Sequence, residues 1–214
     1  MANTRVKSFN LANTEVTPGS YGNTSGLSPS LTVDAQGRLT SCVNKTDFLL
    51  YRLNSPVVGS NATGNQSVFG ASATVESNTQ YEIEALYAFS KSAGVTSHNF
   101  LIGFGGTSTF NNINYSSIIK YNTASFTQGI TTDSIQSFIS VNTQTAILSG
   151  LTSAAGFIVI QIRGSFSINS GGTFIPLYLL SAAPGGAYTT SIGSYCKLTK
   201  LGSSGSNISI GTWA

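Results

Sequence analysis

The sequence predicts an all-β fold: an extended N-terminal β arm over residues 1–46, then a jelly-roll β-sandwich over residues 47–214. Three observations predict it. Apolar residues recur at every second position in the longest hydrophobic stretches, as at Tyr81, Ile83, Ala85, Tyr87 and Phe89. Turn residues close those stretches, most plainly at Gly171-Gly172 and Pro184-Gly185-Gly186. Charged residues make up only 8% of the 214 residues, against roughly 25% in ordinary soluble proteins. Ser, Thr, Asn and Gly take their place, and these favour strands and turns over helices.

In chain order, the arm comes first. Its apolar runs are brief and Gly, Pro and Ser interrupt them, so it cannot build a core alone. Within it, Val33-Asp34-Ala35-Gln36-Gly37-Arg38-Leu39-Thr40 reads as a β-hairpin, with Gly37 free to take positive φ in the turn. From residue 47 the period is two. Runs are expected at 48–53, 67–75, 81–89, 99–104, 116–121, 135–148, 157–168, 174–180 and 192–200. In the 157–168 run, Ile158, Ile160, Ile162, Phe166 and Ile168 share one face, while Gln161, Arg163, Ser165 and Ser167 share the other. Pro176 inside its run predicts an edge strand or a bulge. About eight strands with no helical period suit a jelly roll.

The composition also excludes function classes. Net charge is +3 and the basic residues are scattered, with Arg5 and Lys7 near one end and Lys197 and Lys200 near the other. No basic stripe interleaves with aromatics, so no nucleic-acid partner is expected. The longest apolar runs are too short to span a membrane, and the first residues carry no apolar signal segment, so neither membrane insertion nor secretion is expected. Cys42 and Cys196 stand in no metal-ligand spacing, and two free structural thiols are expected over a disulfide.

Catalytic chemistry is sparse, and no catalytic, metal or cofactor-binding residue is assigned. His98 is the single histidine, which excludes multi-histidine zinc sites and leaves a hydrogen-bonded structural or surface role as its expected one, with an interface pH switch as the functional alternative. Glu82 and Glu84 fall on one face of a strand, with carboxylates within roughly 7 Å by strand geometry. Glycosidases use carboxylate pairs at such separations. The plainer expectation is that both face water or a basic partner such as Arg163. Gly103-Phe104-Gly105-Gly106 lacks the helix and lysine of a phosphate loop and reads as a turn. Aromatics placed in or beside loops, namely Tyr115, Tyr121, Phe126, Tyr188 and Trp213, are the candidate glycan contacts, since sugars stack on ring faces. The alternative is that they fill a core or an oligomer axis.

Val16-Thr17-Pro18-Gly19-Ser20-Tyr21-Gly22, followed by the hairpin segment Val33–Thr40, resembles paired segments that recur in tail-fibre and other virion proteins of tailed bacteriophages. The C-terminal stretch, through Gly172-Thr173-Phe174-Ile175-Pro176 to Gly211-Thr212-Trp213-Ala214, resembles C-terminal domains of phage structural proteins. Their layout is similar to trimeric jelly rolls of the tumour-necrosis-factor and C1q type. The resemblance implies a non-enzymatic virion component: a short trimeric fibre, knob or capsid decoration. Residues 1–46 would anchor to a phage capsid or tail protein, and the sandwich would stabilise the particle or adhere to a host-surface glycan. The expected location is the virion, as a capsid-surface or tail appendage. The chain's length favours the capsid over a tail tip. A carbohydrate-binding module and a glycan depolymerase are the alternatives.

Overall fold

A computed structural model describes residues 16–22, 27–35, 37–123, 135–205, 207 and 212. Every regular element among them is a strand, and each sheet is built by antiparallel pairing. None of the described residues forms a helix long and apolar enough to cross a membrane. Two compact units divide the chain, Met1–Phe48 and Leu49–Ala214.

The first unit carries a two-stranded ribbon, β1 (Leu27–Val33) against β2 (Leu39–Thr46), with Leu31 opposite Cys42. Its turn follows from Asp34 and Gly37. The Gly37 N–H donates to the Asp34 carbonyl at 3.0 Å, with Gly37 at φ 77°. The Asp34 carboxylate accepts the Arg38 N–H at 2.8 Å and the guanidinium Nε at 2.6 Å. Gly22 ties the preceding segment to the ribbon by donating to Asn44 Oδ1 at 2.8 Å. Leu31 and Val33 remain 59% and 60% exposed. A two-stranded ribbon with so little burial is marginal by itself in water.

The second unit contains two sheets. Its strands are β3 (Phe48–Arg52), β4 (Val57–Val58), β5 (Gly64–Ser67), β6 (Ala73–Val75), β7 (Thr79–Lys91), β8 (His98–Gly105) and β9 (Thr109–Asn122). β10 (Ile135–Ile139), β11 (Thr145–Leu151), β12 (Gly156–Ser170), β13 (Gly172–Leu180), β14 (Thr189–Thr190) and β15 (Tyr195–Ser203) complete it. The larger sheet has 8 strands in the order β10-β9-β12-β7-β14-β4, with β15 pairing β7 and β3. The smaller has 5, in the order β11-β8-β13-β5, with β6 also on β13.

Aromatic rings join the sheets. From the larger sheet, Phe89 meets Phe100 and Tyr178 of the smaller, each at 5.1 Å between ring centroids. Further along, Phe166 stacks on Phe174 at 4.9 Å. Each fully buried ring contributes about 2–3 kcal/mol of apolar transfer energy. The alternating residues Tyr81 to Phe89 and Ile158 to Ile168 all point into this layer, as their period demands.

Five expectations need correction. Gly103-Phe104-Gly105, expected as a turn, is the end of β8, and the chain leaves the strand only at Gly106, at φ 115°. Ser167, expected to be exposed beside Gln161 and Arg163, is buried, with Asn111, the residue that the β9 register skips, donating to its hydroxyl at 3.4 Å. The 67–75 run is two short strands, β5 and β6, bent around the buried Val68 and Phe69. The 135–148 run is divided between sheets: β10 pairs β9 in the larger, and β11 pairs β8 in the smaller. Pro176 lies in an internal strand. Its carbonyl accepts the Val68 N–H at 3.0 Å, so its missing N–H faces the break between β5 and β6, where no ladder bond is lost.

Candidate functional site

The outward face of the larger sheet holds a depression of about 430 Å³. Registers across β15, β7, β12 and β9 build it from two rows of side chains. One row runs Tyr195, Leu86, Gln161, Ile118. The next runs Glu84, Arg163, Ser116, and beyond the lining the same row continues to Lys197 beside Glu84 and to Phe138 of β10 beside Ser116, 72% exposed. Rows two residues apart along a strand are about 7 Å apart. The same alternation that sends Tyr87 and Ile162 inward sends these side chains out.

Glu84 organises the depression. Its Oε1 accepts the Tyr195 hydroxyl at 3.1 Å and lies 3.7 Å from the Arg163 guanidinium. Burial, then the Glu84 hydrogen bond and charge, raise the Tyr195 phenol above its usual range, so it remains a donor. Arg163 is 80% exposed along its side chain. The Glu84 contact with Arg163 is the basic pairing expected from the sequence. Glu82 lies farther along the same strand, in register with Ser165 and Thr199, and faces solvent. The lining presents donors and acceptors beside apolar side chains, an arrangement suited to holding a ligand.

The aromatic residues expected to contact glycan are distributed differently. Tyr115 is buried: its register partner is Gly164, and a Cβ at Gly164 would lie 2.5 Å from the Tyr115 Cβ. The missing side chain on β12 makes room for the tyrosine inside. Tyr188 is also buried, and its ring meets Phe100 edge-on at 5.2 Å. Neither ring can stack on a sugar. Tyr121 is half-buried against the core. Trp213 and Phe126 lie outside the described residues. The half-exposed ring of the depression, Tyr195, and the exposed Phe138 outside its lining were missed because both sit on strands. Parity with the inward Cys196 and Leu198 marks Tyr195 as outward.

His98 has a structural setting. Its Nδ1 lies 2.8 Å from the Thr96 carbonyl, which can only accept, so Nδ1 carries the proton. Nε2 then accepts the Tyr188 hydroxyl at 2.9 Å. Nearby, the buried Lys91 ammonium donates to the Gly94 and Ser153 carbonyls at 2.8 and 2.7 Å, joining two loops. Both cysteines are free thiols. Burial pushes the Cys196 thiol up to about 12, so it is a poor nucleophile. Among the described residues, no group of 3 or more His, Cys, Asp or Glu side chains could hold a metal ion.

No family model matches the chain, and no curated protein matches it. A solved structure described as infectious bursal disease virus Gt strain aligns with 86% of this chain and 49% of that one, at 13% identity and a TM-score of 0.14. This chain thus spans about half the length of that one, and a likeness at that score carries no argument.

Proposed function

We propose that the chain is a non-enzymatic structural component of a tailed-phage virion, a short trimeric fibre, knob or capsid decoration with a jelly-roll head. The nesting of its strand pairs supports the jelly-roll head. β3 pairs β15, β5 and β6 pair β13, β7 pairs β12, and β8 pairs β11. Successive outer pairs enclose inner ones and alternate between the sheets, an order that supports the jelly-roll reading. The β9–β10 hairpin is then an insertion that widens one sheet.

The phage-like wording of residues 16–22 and 33–40 supports the virion assignment. The ribbon it encodes leaves Leu31, Val33 and Val43 largely exposed. In the proposed assembly those side chains pack against sister chains or the particle, and the sandwich projects outward. Trimerisation covers sheet edges that few charges protect. Particle stabilisation and multivalent adhesion are the proposed mechanism.

Two measurements test the proposal. Light scattering of the purified chain should report three chain masses. Electron microscopy of purified particles should locate the head distal to its arm. A stable monomer absent from purified particles would overturn the proposal. A carbohydrate-binding role is the second reading, favoured by the depression around Glu84.

A further inference from the structure

We propose that the depression on the outward face of the larger sheet binds a neutral pyranose residue of a glycan. This deepens the adhesive part of the proposed function and does not depend on trimer formation.

A pyranose is amphiphilic: it has an apolar C–H face and a belt of hydroxyls. The depression has the complementary pattern. Leu86 and Ile118 supply apolar surface in one row, with the Gln161 carboxamide between them. The adjoining row supplies the Glu84 carboxylate and the Arg163 guanidinium. Ligand sites of this kind combine apolar walls with a few placed polar groups.

Glu84 is oriented before any ligand arrives. Tyr195 and Arg163 both contact its Oε1. A ligand hydroxyl can donate to the Glu84 carboxylate, whose oxygens each accept more than one hydrogen bond, while the exposed Arg163 retains N–H groups to donate to a neighbouring hydroxyl. Lys197 stands outside the lining, beside Glu84 in the same row, and among the lining residues Glu84 supplies the one carboxylate and Arg163 the one guanidinium. This balance favours a neutral polyol over an anion or a cation. The volume of about 430 Å³ falls within the usual range of small-molecule sites.

The test is saturation-transfer NMR on the full-length chain with three probes: the methyl glycosides of glucose, galactose and N-acetylglucosamine. Transfer to at least one probe is expected, with a Kd on the order of 1 mM. Gln161→Ala should weaken binding about three- to tenfold, as the loss of a hydrogen bond predicts. Ile118→Lys should weaken it at least as much by charging the apolar row. Glu82→Gln, outside the depression, should leave binding and the probe intact. Absence of transfer from all three probes would overturn the site, as would unchanged binding in folded Gln161→Ala and Ile118→Lys. Protection of Tyr195 and Ile118 from hydroxyl-radical footprinting in the purified chain would also overturn it, because a second copy would then occupy the face. A chain that assembles on particles but binds no probe fails this inference alone.

Discussion

The phenol of Tyr188 donates to His98 Nε2 at 2.9 Å inside the second unit, across 90 residues of sequence. The bond requires neutral imidazole, and burial, together with the nearby Lys91 charge, lowers the His98 pKa from 6.5 despite the opposing Thr96 hydrogen bond. The unfolded chain therefore takes up the proton first as pH falls. His98 imposes no penalty above about pH 6.5, and stability is lost as pH drops below that value. Urea midpoints at pH 7.5 and pH 5 should differ more for the parent chain than for His98→Gln. At neutral pH, Tyr188→Phe should cost about 1–3 kcal/mol by leaving a buried acceptor unsatisfied.

Gly164 should resist any side chain. A Cβ there would lie 2.2 Å from the Asn114 carbonyl and 2.5 Å from the Tyr115 Cα. The clash is with backbone, so β9 must shift away from β12. Gly164→Ala is expected to cost about 2–3 kcal/mol in denaturant melts. The double variant with Tyr115→Ala should recover little of this, because the carbonyl clash remains.

Arg163→Ala should be nearly silent in stability. The ion pair with Glu84 is loose at 3.7 Å and the arginine is 80% exposed. Exposed pairs of this kind contribute about 0–1 kcal/mol and are screened by salt. A thermal midpoint more than a few degrees below that of the parent would contradict this account of the outward face.

Gly37→Ala should act on the ribbon alone. No atom lies within 4 Å of a Cβ built there, so the penalty comes from holding a non-glycine residue at φ +77°. That amounts to about 1 kcal/mol. Amide hydrogen exchange on the intact chain should accelerate across β1 and β2 while β7 and β12 remain unchanged.

Much of the fold is legible in the residues. The runs at 81–89 and 157–168 alternate cleanly, and every predicted inward side chain there is buried. The Asp34–Gly37 turn is equally plain, because its chemistry is local. Legibility fails where a distant neighbour decides. Tyr115 looked like a loop aromatic, yet a glycine on another strand draws it inside. Residues 135–148 read as one stretch, yet their two halves join different sheets. Of the candidate site, the pairing of Glu84 with Arg163 was visible. Tyr195 and Ile118 were not, since nothing local records which strands lie side by side.

By itself, then, the sequence determined the β class, the main turns and the inward side of the principal strands. The backbone pleat imposes that side on every alternate residue, wherever the strand ends up. Only the tertiary structure decided that Tyr195 joins Glu84 and Arg163 in one depression and that Tyr188 closes on His98. Those meetings depend on registers between segments far apart in the chain, and packing of the whole aromatic layer selects the registers.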